Sequence, residues 1–426
     1  MSNNLKKSTT VSIVEVDSEK SNLSNCSSNS KLVLNKKDKG REPTQDTSCC
    51  SAGCVGKLIA SAICGLCFGF LLEKARVFEP KAIREQFTFE MFIMLKTFLA
   101  AVAAGQVCFS ILSVIPPMKG KFEQAVEEYT SCFQDKSLLT SAFGGFILGI
   151  GMALSGSCPA MVLVQVGTWV PNAIFSLLGC LLGALVYGMI APFIQRITRP
   201  RKPLEKHGVA ATFKLPFIAM ALPMALLLAV VVFLLEWFWP WTWDIAKLGR
   251  SDLLDSNNVI TTVAWPPYVS GILLGIIELP IVIFVQDTIG GSSAYVTVVS
   301  QWVVTEKLQA LFPYLASKRK GVGNWWQVFL VSGAVIGGLI SAVTSSTLAT
   351  AQGVPLYMGF IGGFLMIFGA RFAGGCTSGH GISGMGLLIW MSFVAVPFMF
   401  GGGIATAFAM QASGALDTYV NSTGAI

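Results

Sequence analysis

The chain has 426 residues, of which 53% are hydrophobic and 12% charged. A soluble protein of this length cannot hide that much apolar surface in its core, so the composition selects a polytopic membrane protein. The formal charge of +7 is not a nucleic-acid signal, because Lys and Arg sit in short blocks beside apolar stretches; the eleven cysteines, several inside such stretches, do not form a spaced secreted disulfide framework.

Residues 1–53 are rich in Ser, Asn, Lys and Asp and lack sustained periodicity, so they read as a disordered cytoplasmic tail. No apolar h-region marks a cleavable signal peptide. Cys49, Cys50 and Cys54 precede the first apolar run, where cysteines are either palmitoylated or plain thiols. Apolar runs of about 20 residues then predict nine transmembrane helices. They centre near Cys64, Val102, Leu148, Leu182, Leu228, Leu274, Gly337, Leu365 and Met399. The first contains "CGLC" (Cys64 and Cys67), which resembles a redox motif but lies in an apolar helix without βαβ context, so small packing residues are the better reading.

Basic blocks orient the spans. "RITRPRK" follows the fourth and "KRK" precedes the seventh. Both share a side with the Lys-rich tail if the N-terminus is cytoplasmic, which puts "EWFWPWTWD" and the C-terminus on the opposite side. Asn421, Ser422 and Thr423 form a glycosylation sequon consistent with that placement. The expected location is an integral, multi-pass one, in the plasma membrane rather than an organelle.

An internal repeat organises the chain. "GGFILGIGMALSGSCP" (144–159) parallels "GGFLMIFGARFAGGCT" (362–377). Gly144, Gly145, Phe146, Gly151, Gly156 and Cys158 match Gly362, Gly363, Phe364, Gly369, Gly374 and Cys376 at a constant offset (376 − 158 = 218). Gly65 and Gly69 echo Gly271 and Gly275 more weakly. Residues 54–195 and 265–411 then form two halves of a membrane domain spanning 54–411. A linker, 196–264, carries the fifth span, and 412–426 form a tail. A single linking span gives the halves opposite orientation, as in many transporters. The expected fold class is therefore an all-α polytopic membrane protein, with about nine transmembrane helices in two inverted, pseudo-symmetric halves.

The segments after Cys158 and Cys376 are too short for further crossings, so both are expected to re-enter and approach the midplane from opposite faces. Non-helical backbone at that depth must be buried in protein or line a polar cavity. Glycines allow tight turns and close approach to a substrate; the plainer reading is that they let helices touch. Pro159 suits a first helical turn, which puts Cys158 at a helix N-terminus, where free N–H groups face a small anion. Thr377 or Ser378 is expected to cap a short helix after Cys376 in the same way. A thiol carries no fixed charge to trap an anion, and conduction needs weak, multi-site binding.

Few other polar groups lie at membrane depth. Arg371 can draw an anion towards the second loop, Glu278 lies mid-span beside Pro280, and Lys96 lies in the second span. The bland alternatives are snorkelling for Arg371 and Lys96 and internal pairing for Glu278. His380 is either proton-linked or a hydrogen bonder that holds its loop, and the second role suits it better; His207, in a basic loop, has no specific role. No Gly-rich phosphate loop, zinc motif or nucleophile elbow appears, so no cofactor, metal or enzymatic activity is expected.

At "GMALSGSCP" and "GARFAGGCTSGHGISG" the chain resembles the YeeE/YedE family of sulfur-transport membrane proteins, some of which take up thiosulfate. The resemblance extends over roughly residues 53–411. It implies short loops meeting centrally in an hourglass and cysteines that relay thiosulfate by hydrogen bonding, a role carried over to Cys158 and Cys376. The flanking Gly156, Pro159, Gly374, Gly375, Thr377, Ser378, Gly379 and His380 are expected along the same pathway. The chain departs from the family after the first span, where a further cysteine is usual. Here "EKARVFEPKAIREQF" offers Arg76 and no cysteine, and "QDTIGGSSAYVT" offers Ser292 and Ser293. The expected function is transport of a small sulfur-containing anion such as thiosulfate across a lipid bilayer, with no nucleic-acid partner. The alternative is a membrane sulfurtransferase or thiol redox protein with a loop cysteine as persulfide carrier.

Overall fold

The computed structural model describes residues 52–133, 136–200, 208–250 and 258–421. Cys49, Cys50, His207, Ser422 and Thr423 lie outside the described residues.

All nine expected spans form. Among the described residues nine helices are long and apolar enough to cross a membrane. They are span 1 (Gly53–Lys74), span 2 (Ile93–Val114), span 3 (Leu138–Ser155), span 4 (Ala173–Thr198), span 5 (Phe217–Phe238), span 6 (Pro267–Val285), span 7 (Val322–Thr344), span 8 (Leu356–Ala373) and span 9 (Trp390–Ala412). Large apolar side chains such as Ile63, Leu226, Phe233 and Phe193 stay exposed on their outer faces, as lipid contact requires. Span 5 is the least buried and packs mainly on span 2.

Spans 3 and 8 form the centre. Span 1 packs on span 7, span 2 on span 6, span 3 on spans 8 and 9, and span 4 on span 8. Glycine makes these contacts close. A Cβ at Gly151 would lie 2.6 Å from the Gly362 carbonyl oxygen, and one at Gly369 2.8 Å from that of Gly144. The repeat glycines inside the helices, Gly144, Gly145, Gly151, Gly362, Gly363 and Gly369, all face a neighbouring helix at such distances. Their role is helix packing.

Spans 3 and 8 stop for one local reason. Gly156 (φ +56°) and Gly374 (φ +99°) follow them in the left-handed region, where the absence of Cβ removes the steric cost. Span 6 is broken instead. Pro280 cannot donate to the Ile276 carbonyl and crowds it, and the regular helix ends at Ile276. The chain continues through Glu278–Pro280 and a π-type turn, Ile281–Val285.

Four short buried segments lie between spans: the helices Pro80–Phe87, Met161–Gly167 and Ser292–Val299, and the π-type turn Thr377–Gly384. Pro80–Phe87 packs on spans 2, 3 and 9, and Ser292–Val299 on spans 4, 7 and 8. Met161–Gly167 packs on spans 1, 4 and 7, and Thr377–Gly384 on spans 2 and 9.

Candidate functional site

Each cysteine loop starts where a glycine turns the chain out of its helix. Cys158 is 5% exposed. The backbone N–H groups of Ala160 and Met161 are directed at its sulfur. The short helix begins at Met161, two residues later than Pro159 leads one to expect, although the Val162 N–H already bonds the Cys158 carbonyl at 3.0 Å. The thiol thus sits at the donor-rich start of a helical turn.

Cys376 is 1% exposed. Ser378 Oγ lies 3.2 Å from its sulfur, and the backbone N–H groups of Gly379, Gly291 and Ser292 also point at it. Two of these donors come from the segment after span 6, so the sulfur joins two loops. Thr377 and Ser378 do not cap a helix as expected. Ser378 is taken by the thiol, Thr377 Oγ1 faces Met152 Sδ at 3.5 Å, and the chain forms a π-type turn instead.

A cavity of about 40 Å³ lies between the loops. That is space for about three or four waters, at ~10–15 Å³ each. Cys158, Ala160 and Met161 line it from one loop, and Thr377, Ser378 and Ile382 from the other. Phe68, Phe98, Thr97 and Leu274 close it from spans 1, 2 and 6. Its walls are mostly apolar, with the Cys158 thiol and three hydroxyls as polar groups. Cys376 does not line it.

Tyr295 of the helix Ser292–Val299 donates to the Pro159 carbonyl at 2.5 Å, linking the segment after span 6 to the Cys158 loop. Glu278, fully buried at the break in span 6, accepts from Ser383 Oγ of the Cys376 loop and from the Ile289 N–H at 3.3 Å. It pairs internally with hydroxyl and amide donors and meets no cation among the described residues.

His380 does not line the cavity. Its Nδ1 lies 3.0 Å from Ser392 Oγ, which also meets the Tyr129 hydroxyl, and Tyr129 donates to the Gly379 carbonyl at 2.9 Å. Its contacts are those of a loop-holding side chain. Gly375 packs on the His380 ring, where a Cβ would come within 3.0 Å.

The charged residues divide. Arg76 is fully buried and pairs with Glu73 and Glu79, each at 2.6 Å; Arg250 adds a bond to Glu79 at 2.8 Å. Arg76 does not reach the cavity, although its neighbour Val77 does. Lys96 does not snorkel but pairs with Glu236 of span 5 at 2.7 Å. Arg371 does not snorkel either. It is 8% exposed and donates to Ser293 Oγ at 2.8 Å and Ser292 Oγ at 3.2 Å.

The sequence reading missed Tyr295, Tyr129 and Ser383. Ser383 lies within "GARFAGGCTSGHGISG", and Tyr295 is the one aromatic in "QDTIGGSSAYVT". A polar side chain in an otherwise small or apolar buried stretch was the available signal.

Residues 74–405 match the model of a family described as sulphur transport. The chain is 24% identical over 362 residues to the thiosulfate transporter TsuA of Escherichia coli (strain K12), covering 80% of this chain and 91% of that protein. It is also 24% identical over 347 residues to the thiosulfate transporter TsuA of Spirochaeta thermophila, covering 78% of this chain and 93% of the relative.

Proposed function

The chain belongs to the sulphur transport family, and from that membership we propose that it carries a small sulfur-containing anion, thiosulfate first, between Cys158 and Cys376. It is an integral, multi-pass membrane transporter rather than an enzyme. Both relatives named above are thiosulfate transporters, which supports the choice of substrate.

The observation that carries the reading is the shared cavity, with the Cys158 thiol on one side and Thr377 and Ser378 of the Cys376 loop on the other. Each thiol is ringed by donors: N–H groups at Cys158, and N–H groups plus a hydroxyl at Cys376. An anion leaving water exchanges hydration for such donors one at a time. No fixed charge lines the cavity, so binding there stays weak enough for release.

The packing supports two related halves, and the single span that links them gives them opposite orientation. Exchanging spans 1–4 for spans 6–9 turns the pair 1–7 into 6–2 and the pair 3–9 into 8–4, and all four pairs are in contact. The helices Pro80–Phe87 and Ser292–Val299 exchange in the same way, with spans 2, 3 and 9 becoming 7, 8 and 4. On this reading the two cysteine loops enter from opposite faces, the N-terminus is cytoplasmic, the C-terminus lies opposite, and the membrane is the plasma membrane.

The test is uptake of labelled thiosulfate into vesicles. Cys158→Ala and Cys376→Ala should each lower the rate about tenfold or more, a loss of ~1.4 kcal/mol of transition-state stabilisation. Wild-type rates in both, at equal amounts of protein in the membrane, reject the relay.

A further inference from the structure

Four arginines are buried among the described residues: Arg76, Arg84, Arg250 and Arg371. A buried guanidinium is costly unless charge or carbonyl dipoles compensate it. Arg76 and Arg250 meet carboxylates. Arg84 donates to the carbonyls of Ala153, Leu154, Leu416 and Thr418. Arg371 has neither kind of partner. Its Nη1 reaches two serine hydroxyls, the Tyr314 phenol lies beside it, and its Nε is buried with no acceptor. The carbonyls that end span 8 are already engaged, by Lys136 at Arg371 and Phe372 and by Ser141 Oγ at Ala373.

We propose that Arg371, Ser292 and Ser293 form an anion-holding site for the oxygen end of a doubly charged sulfur oxyanion. Ser292 supplies the geometry. Its Oγ accepts from Arg371 while its N–H points at the Cys376 sulfur, so guanidinium and thiol lie on two sides of one residue. An ion with sulfur at one end and oxygens at the other spans that residue, sulfur towards the thiol and oxygens towards Arg371. The two serines accept from Arg371 and keep their own O–H groups to donate. Position 153, related to 371 by the repeat offset of 218, is alanine, so a cation stands at this register in one half only. The site selects charge: thiosulfate and sulfate bind there, and hydrosulfide, with one charge and no oxygens, gains little.

This inference rests on the transport reading. The experiment measures the KM of labelled thiosulfate uptake in vesicles, with sulfate and hydrosulfide as competitors. Wild type should be inhibited by sulfate much more than by hydrosulfide. Arg371→Gln should raise KM about tenfold or more and abolish inhibition by sulfate, and Arg371→Lys should recover part of both. Unchanged KM and sulfate sensitivity in Arg371→Gln overturns the site while leaving the transport reading intact. If Arg371→Gln does not reach the membrane, the double variant Ser292→Ala/Ser293→Ala takes its place: a several-fold rise in KM supports the site, and none overturns it. Absence of thiosulfate uptake by the wild type defeats the transport reading itself.

Discussion

The phenol of Tyr295 donates to the carbonyl of Pro159 across 136 residues of sequence. The two belong to different loops. Pro159 follows the Cys158 thiol, and Tyr295 stands one helical turn after Ser292, whose N–H points at Cys376. One hydrogen bond therefore ties the surroundings of one cysteine to those of the other.

Tyr295→Phe removes this bond and keeps the ring. The buried Pro159 carbonyl loses its bond from the Tyr295 phenol, a cost of ~1–3 kcal/mol. Uptake should fall while the protein still assembles, and its thermal midpoint in detergent should drop by a few degrees. Uptake and midpoint both at wild-type values would show that the bond is incidental.

Glu278 joins the broken span 6 to Ser383 of the Cys376 loop and to the Ile289 N–H. Glu278→Gln keeps the shape but turns one acceptor into a donor. If that NH₂ faces Ser383, the hydroxyl can reverse; if it faces Ile289, two N–H groups oppose each other. The amide therefore settles with its oxygen on Ile289. Glu278→Ala orphans the Ile289 N–H and leaves a void, while Ser383 Oγ keeps the Ile289 carbonyl at 2.9 Å; the cost is ~2–5 kcal/mol. The expected order of thermal midpoints is wild type, then Gln, then Ala. An alanine variant as stable as wild type would remove Glu278 from the account of the fold.

The nine spans were legible because crossing a bilayer as a helix demands about 20 apolar residues in a row, a local property of sequence. Cys158 and Cys376 were legible because each follows a helix-ending glycine at one repeat offset. What joins the loops was not. Glu278 and Ser383 lie 105 residues apart, and no periodicity announces a hydrogen bond over that separation. The expected cap by Thr377 or Ser378 failed because a competing partner, the Cys376 thiol, stands within reach of Ser378. Arg76 is a pathway candidate by sequence, yet Glu73 and Glu79, three residues away on either side, pair with it across the turn between them.

Asp287 follows span 6, and burial pushes its carboxyl from its ordinary 3.8 up to about 7, with hydrogen bonds from the Thr288 N–H and from Trp326 acting the other way. Between those two values the folded chain keeps a proton that the unfolded chain has shed. Raising pH through that window therefore weakens the fold, and acidifying from pH 7.5 to 5.5 strengthens it. Asp287→Asn should flatten this dependence of the thermal midpoint. Equal slopes in wild type and variant would mean that other groups set it.

Gly337 and Gly401 separate the two uses of glycine in the spans. A Cβ at Gly337 of span 7 would sit 1.9 Å from the Leu66 carbonyl oxygen of span 1, and one at Gly65 the same distance from that of Leu330. These contacts are with backbone, so no side chain can rotate away and the helices must separate. Gly401 of span 9 has no atom within 4 Å of its would-be Cβ. Gly337→Ala should therefore cost ~1–3 kcal/mol or more, as forced overpacking does. Gly401→Ala should be neutral or gain up to ~1 kcal/mol in helix propensity. Thermal unfolding of the two variants side by side is the measurement. Equal midpoints would mean that the close span 1–span 7 contact does not limit stability, and uptake by Gly337→Ala would then follow wild type.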